Sequence, residues 1–348
     1  MGGRGRETEE VPVRAIVCTR YGPPDDLKLR EVAKPSLGDD DVLVEVCASS
    51  VNYNNLGHVR GTPLMARFWT GLVKPKYPIP GNDVAGRVEA VGRNVTQFRI
   101  GDEVYGNTHS SGYGAFAEYA AVAESALALK PANVSFVAAA AVPEAGLVAL
   151  QALRDHGKVK SGSKLLVHGA SGGVGTFAVQ IAKAFGAEVT GLCSTENLGL
   201  VLSLGADHLI DYRREDFVRS KERYDLILAT GGYRRILDYK QALTPQGRYV
   251  CSGATMNGPK ALAQVFEAML LGPLVSEKNG RRLSSMLVIP NRKDLVVMKE
   301  LVESGKVTPV VDRVYPLAET AAALRYYSQG HSRGKVIIAV EPGSGGVS

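Results

Sequence analysis

The run Val167-His-Gly-Ala-Ser-Gly-Gly-Val-Gly175 carries the clearest chemistry in the chain, with small residues in the frame Ala170-x-Gly172-x-x-Gly175. Lacking Cβ atoms, Gly172 and Gly173 let the backbone approach a pyrophosphate, and Gly175 lets a following helix pack closely on the preceding strand. Free N–H groups at that helix start add positive potential where the phosphates would lie. Such a turn signals a dinucleotide only when a buried strand precedes it and a helix follows. Both are predicted here. Lys164–His168 is an apolar run, and Val174, Ala178, Ile181 and Ala182 recur at near-helical spacing through Gly175–Phe185 until Gly186 closes the segment. Ala170, Ser171, Gly172, Gly173 and Val174 are therefore expected to bind the cofactor.

The second strand of such a unit decides between the two nicotinamide cofactors. An acid at its end binds the ribose 2′-hydroxyl and repels a 2′-phosphate. Here Glu188-Val-Thr-Gly-Leu-Cys-Ser194 ends on Cys193 and Ser194, which are small and neutral. Asp211-Tyr-Arg-Arg214 closes the third strand with a phenol and two guanidinium groups, although Arg213-Arg214 also reads as a solvated turn. Glu196 is an opposing charge nearby, or an acid in the first turn of a helix, where it is favourable. NADPH is expected over NADH, which stays admissible, with Ser194 and Tyr212 at the 2′ end.

The elements that must hold these residues fall into three textures. At 348 residues the chain is long for one domain. Up to about residue 134, alternating runs such as Val42-Leu-Val-Glu-Val46 and closely recurring glycines suggest a small, sharply turning barrel. From about 135 to 290, strand candidates Lys164–His168, Glu188–Leu192, His208–Asp211, Asp225–Ala229, Arg248–Ser252 and Ser285–Ile289 alternate with helical segments, which implies a parallel, doubly wound sheet. The last part predicts helices around Asp294–Ser304 and Leu317–Gln329 and a final strand Lys335–Val340. The first ten residues and the glycine-rich tail after Glu341 read as unstructured ends.

Net charge is +6, and the excess sits in the middle segment, with 18 basic against 13 acidic residues over 135–290. That balance suits a phosphate-bearing cofactor, and it is also ordinary solubilising charge. The four cysteines, Cys18, Cys47, Cys193 and Cys251, form no close pair, which argues against a disulfide framework or a local metal cluster and suits a reducing cytoplasm. The N-terminal residues lack the apolar run of a secretory signal, and the most apolar stretch, Phe136–Leu153, is broken by Pro143 and Glu144. No membrane partner is expected. No basic stripe interleaved with aromatics is visible, so nucleic acid is not an expected partner either.

Several further motifs carry a family resemblance across nearly the whole chain. Pro80-Gly-Asn-Asp-Val-Ala-Gly86, Val91-Gly92 and Phe98-Arg-Ile-Gly-Asp-Glu-Val104 resemble the GroES-like catalytic domain of medium-chain dehydrogenases. His168–Gly175, Leu204-Gly-Ala-Asp207 and Gly330-His-Ser-Arg-Gly-Lys335 resemble the quinone oxidoreductase branch. The resemblance implies an α/β protein with a GroES-like β-barrel catalytic domain from residues 1–134 and 291–348, and an inserted Rossmann dinucleotide-binding domain at 135–290. It places the active site in the cleft between them and implies a homodimer through the edge strand of the Rossmann sheet. It also assigns Tyr212 and Arg333 to the adenosine 2′-phosphate; a lysine often found after the second strand is replaced by Thr195-Glu-Asn-Leu198. Arg333 has a plainer reading as one half of an interdomain salt bridge.

The departures from that family are chemical. Zinc-dependent relatives carry a cysteine ligand in the segment that reads Ser50-Val-Asn-Tyr-Asn-Asn55, where Asn52 stands, and a histidine ligand where this chain has Asn82. They also hold four closely spaced cysteines for a structural zinc, which this chain lacks. Asparagine is a poor zinc ligand, so no metal is expected. Without a Lewis acid, hydride addition suits acceptors that delocalise the negative charge themselves, such as quinones, enones and alkenals. Asn52 and Tyr53 are the candidate catalytic residues, as hydrogen-bond donors near the developing oxyanion. Asn52 reads equally as a brace for its loop, and Tyr53 as plain cleft packing. His58 and His109 read as surface polarity. Phe68 and Trp69 with Met65 suggest either an apolar pocket wall or a lid packed on the barrel. The expected function is NADPH-dependent reduction of a small molecule, a quinone or an activated C=C bond. Alternatives are an enoyl-thioester reductase, or a nucleotide-binding protein with a structural or RNA-binding role and little catalysis.

Overall fold

The computed structural model describes residues 12–253, 264, 266–278 and 280–340, so the two expected unstructured ends lie outside the described residues. The chain begins with an antiparallel pair, β1 (Val13–Val17) and β2 (Lys28–Val32). Next come β3 (Asp41–Ser50), β4 (Asp83–Val91), β5 (Glu103–Asn107), β6 (Tyr119–Ala123) and β7 (Leu127–Leu129). Helices α1 (Tyr53–Arg60) and α2 (Arg67–Thr70) fill the long β3–β4 connection. The run Val42–Val46 is the middle of a longer strand than its alternation suggests. Its length lets β3 pair with β6 over Asp41–Glu45 while its opposite edge pairs with β4. Gly86 permits that second pairing, because a Cβ there would lie 2.0 Å from the Glu45 carbonyl oxygen.

Helices α3 (Phe136–Ala140) and α4 (Pro143–Gln151) lead into the second sheet. Its strands are β8 (Lys164–His168), β9 (Glu188–Cys193), β10 (His208–Asp211), β11 (Tyr224–Ala229), β12 (Leu243–Cys251) and β13 (Arg282–Ser285). They are all parallel, in the order β10-β9-β8-β11-β12-β13. Helix α5 (Gly173–Ala184) follows β8. The strand order reverses between β8 and β11, the place where open parallel sheets bind ligands at their carboxyl ends. The strand expected at Ser285–Ile289 lies three residues earlier, at Arg282–Ser285. Apolarity misleads there, because Leu287 and Ile289 are 89% and 72% exposed past the strand's end.

After Asn291 caps the helix Arg292–Glu303, the chain returns to the first sheet through β14 (Val311–Pro316) and β15 (Lys335–Ala339), with Thr320–Ser328 as a helix between them. Strand β15 pairs with β14 and with Ala48–Ser50 of β3, completing a seven-stranded sheet that encloses Val42, Val44, Val84, Val104, Val122 and Ile338. A larger core crosses from this sheet into the parallel one through α3 and α4, joining Ala48, Ala85 and Tyr105 to Leu147, Leu165 and Phe177. Among the described residues, no helix is long and apolar enough to cross a membrane.

Candidate active site

A cleft of about 1010 Å³ opens at the reversal point between β8 and β11. Its walls come from the turn after β8, the ends of β9 and β11, and the segment leading into β15. Ser171, Gly172, Gly173, Val174, Ser194, Tyr212, Arg333 and Asn52 all line it. Ala170 does not; it is fully buried beneath the turn, its N–H donating to the Leu192 carbonyl at 3.1 Å. Tyr53 is 42% exposed in the first turn of α1 and is not among the lining residues. Tyr327, linked to the Tyr53 backbone by a hydrogen bond, lines the cleft instead. Burial, and then the Glu144 charge, raise its phenol above the ordinary tyrosine range.

The turn after β8 fits a pyrophosphate on local grounds. Gly172 is the N-cap of α5 and provides no side-chain cap, so the first N–H groups of this 12-residue helix face the cleft without one. A Cβ on Gly172 would meet only the Gly169 carbonyl, at 3.5 Å, and would stand in the cleft's open space. Gly175 has the opposite problem, since its Cβ would lie 2.1 Å from that same oxygen. The Ser171 carbonyl accepts from the Gly334 N–H at 2.9 Å, tying this turn to the start of β15. Among the described residues, Arg213, Arg234, Arg333 and Lys335 line the cleft against one carboxylate, Glu196.

The far end of the cleft fits an adenosine ribose. Asn197 donates through Nδ2 to the Ser171 and Ser194 hydroxyls, both at 3.1 Å, while its buried Oδ1 has no partner among the described residues. A ribose hydroxyl is the donor that such an atom lacks. Glu196 is ion-paired with Arg213. A hydrogen bond from its own backbone, the Ser194 hydroxyl and Arg213 together pull its carboxyl down to about 2. Arg213 and Arg214 are exposed in the turn after β10, as the solvated-turn reading expects, and Arg213 is held there by this ion pair. Arg333 is exposed and has no salt-bridge partner among the described residues, so the interdomain ion pair considered for it is absent there.

At the near end lies a buried polar network that sequence inspection missed. Lys335, 3% exposed at the start of β15, donates from Nζ to Asn52 Oδ1 and, at 3.3 Å, to the Val51 carbonyl; Asp83 Oδ2 is 3.7 Å away. Asn52 Nδ2 donates to Asp83 Oδ2 at 2.8 Å and to Asn82 Oδ1 at 3.2 Å, so its amide hydrogens point into the network. Asp83 also accepts from Ser50 Oγ, Asn107 Nδ2 and the Glu144 N–H at 2.6, 3.0 and 3.0 Å. Glu144, in the first turn of α4, accepts from the amides of Asn54, Asn82 and Asn107 at 2.8, 3.1 and 3.0 Å. Burial, and then the neighbouring Asp83 charge, push its carboxyl up to about 7. Burial also lowers the Lys335 ammonium from its ordinary value, opposed by Asp83 and Glu144.

This donor set does not fit zinc. The ammonium of Lys335 already occupies the point between Asn52 and Asp83, in a network otherwise made of amides and the Glu144 carboxyl, and a second cation beside it would meet it in a low-dielectric interior. The two histidines considered from sequence lie elsewhere and do not line the cleft. His58 is 3% exposed rather than a surface residue, its Nε2 2.8 Å from the Tyr77 carbonyl and its ring 4.5 Å from that of Tyr113. His168 and His331 line the cleft instead, and His168 Nδ1 lies 2.8 Å from the Tyr239 hydroxyl. Burial, and then Arg234, lower it to about 4, so it is neutral.

Comparison with known proteins agrees with this geometry. Residues 38–132 match the family model of the alcohol dehydrogenase GroES-like domain, and residues 204–338 match that of zinc-binding dehydrogenases. The chain is 35% identical to a 2-methylene-furan-3-one reductase of Solanum lycopersicum, over 94% of this chain and 79% of that protein. It is 33% identical, with the same coverage, to an NADPH-dependent alkenal/one oxidoreductase of Arabidopsis thaliana. Among solved structures, the quinone oxidoreductase from Coxiella burnetii superposes with a TM-score of 0.82 at 29% identity, covering 95% of this chain and all of that one.

Proposed function

Because this chain belongs to the medium-chain dehydrogenase/reductase family of oxidoreductases, we propose that it is an NADPH-dependent, zinc-independent reductase that transfers hydride to a quinone or an activated C=C bond. The observation that carries the reading is the buried Lys335 ammonium, seated on Asn52 where zinc-dependent relatives hold their metal. Its fixed positive charge favours negative charge developing on an acceptor's oxygen, and acceptors that delocalise that charge need no stronger electrophile. Bound NADPH would supply the hydride. The α5 N-terminus with Ser171, Gly172, Gly173 and Val174 would hold its pyrophosphate, and Ala170 would support that turn from beneath. Ser194, Tyr212 and Arg333 would bind the 2′-phosphate. Asn52 holds Lys335 in place, and Tyr53 positions Tyr327 at the cleft wall.

In this reading residues 1–134 and 291–348 form the catalytic unit and 135–290 the dinucleotide-binding unit. The four free cysteines suit the cytoplasm. A homodimer would form along the exposed edge strand β13.

The test is loss of NADPH absorbance, with NADH alongside, against 1,4-benzoquinone, an enone, an alkenal, an enoyl thioester and a simple ketone. Turnover of quinone or enone with NADPH preferred, and none of the ketone, is the expected result. Lys335→Met should still bind NADPH yet lose roughly a hundredfold in kcat. Activity confined to the ketone, or full activity in Lys335→Met, defeats the reading. Turnover of the thioester alone moves the enzyme to the enoyl-thioester class.

A further inference from the structure

The segment 64–73 is an amphipathic turn built inside out. Leu64, Met65, Phe68, Trp69 and Leu72 fall at helical spacing across a 3-10 turn and α2, and with Val73 they are between 61% and 88% exposed. The polar side is the one held by the protein. The Arg67 guanidinium lies 4.4 Å from the centre of the Tyr21 ring and donates to the Gly61 carbonyl at 2.9 Å. The Tyr21 hydroxyl donates to the Gly71 carbonyl at 2.6 Å and lies 3.1 Å from the Thr70 hydroxyl. Neither expectation for Phe68 and Trp69 holds, since they neither wall the cleft nor pack on the barrel. A contiguous apolar surface of this kind marks a contact with something outside the chain.

The local charge selects the occupant. Between Glu45 and Asp83 the chain has no carboxylate side chain, while Arg60, Arg67, Lys74 and Lys76 fall within that stretch and both lysines are exposed. In a two-fold contact between copies the patch would meet its own counterpart, which offers no carboxylate from this stretch to pair with these lysines. An anionic lipid surface attracts them, and the aromatic and aliphatic side chains enter its headgroup layer. The geometry points to residues 64–76 as a peripheral docking site for an anionic bilayer surface. The expectation of no membrane partner rests on the lack of a spanning segment, and surface docking needs none. The site stands apart from the cleft and rests on no part of the reductase reading.

Trp69, the single tryptophan of the chain, is its own reporter. Vesicles of phosphatidylcholine mixed with phosphatidylserine should shift its emission to the blue and carry the full-length protein down on sedimentation, and salt should weaken both effects. Phosphatidylcholine alone should do far less. Phe68→Ser combined with Leu72→Ser, and separately Lys74→Glu with Lys76→Glu, should each lower the bound fraction roughly tenfold. These side chains are exposed, so thermal unfolding of the variants should match the parent. The proposal is overturned by an unchanged Trp69 emission with both vesicle types. It is equally overturned if the blue shift follows quinone, NADPH or self-association without lipid, or if the four substitutions leave binding intact.

Discussion

At the scale of single residues, Glu144 and His168 impose opposite pH dependences on folding. The Glu144 carboxyl sits at about 7 in the folded chain against an ordinary 4.5, so the unfolded chain releases that proton first as pH rises. Stability is then lost as pH climbs from about 4.5 through 7, by on the order of 3 kcal/mol. His168 is held neutral down to about 4 against an ordinary 6.5, so its contribution is lost as pH falls through that window. The two slopes oppose each other over most of the range, which makes the raw stability curve uninformative. A Glu144→Gln variant separates them. Its new amide meets the donors of Asn54, Asn82 and Asn107, so it should be less stable than the parent at acid pH. Because the parent alone carries the Glu144 slope while His168 is common to both, the gap in urea unfolding should narrow between about pH 5 and about pH 8. A constant gap would mean that Glu144 is ionised throughout, with Lys335 and its amide donors outweighing burial.

At the scale of elements, the same substitution should act with opposite sign in two helices. A Cβ at Gly175 would lie 2.1 Å from the Gly169 carbonyl oxygen and 2.8 Å from Ala170 backbone atoms, none of which can swing aside. Gly175→Ala should therefore cost about 2 kcal/mol and weaken NADPH binding, because α5 must withdraw from the turn it caps. Gly199, inside the helix Leu198–Ser203, has nothing within 4 Å of its Cβ position, and Gly199→Ala should stabilise by up to about 1 kcal/mol. Paired thermal unfolding curves check both, and a neutral Gly175→Ala would remove the close-packing account of that glycine. This glycine was legible in sequence because its strand, turn and helix are contiguous and keep their own periodicities. The parallel strands were legible for the same reason, apart from β12, which begins at Leu243 rather than Arg248, and β13, where exposed Leu287 and Ile289 imitate a buried run. The amphipathic spacing at 64–72 was equally visible, but its inversion was not, since periodicity does not say which face the rest of the chain takes. Lys335 reads as an ordinary charged start to an apolar strand. Its burial follows from β3, β4, β5 and α4 delivering Asn52, Asp83, Asn107 and Glu144 to one point, which no local pattern announces.

At the scale of the whole molecule, the two sheets are joined more firmly than a hinge between independent domains requires. The larger apolar core runs through both, from Ala48 and Ala85 on one side to Leu165 and Val189 on the other. Polar ties cross the same boundary: the Glu144 N–H donates to Asp83 Oδ1 at 3.0 Å, and the Gly334 N–H donates to the Ser171 carbonyl in the turn after β8 at 2.9 Å. Unfolding the parallel sheet alone would expose the shared helices α3 and α4 and strip Glu144 from Asp83, leaving buried charge without its donors. Scanning calorimetry of the unliganded chain should therefore show one cooperative transition rather than two. NADPH at about a hundred times its dissociation constant should raise that single transition by the equivalent of about 2.7 kcal/mol. Were the sheets independent, the cofactor would move only the component that holds the turn after β8 and leave a second, unshifted transition behind. A split peak would locate the weak seam at the α3–α4 junction, and the shared core would then count as contact surface between two folding units.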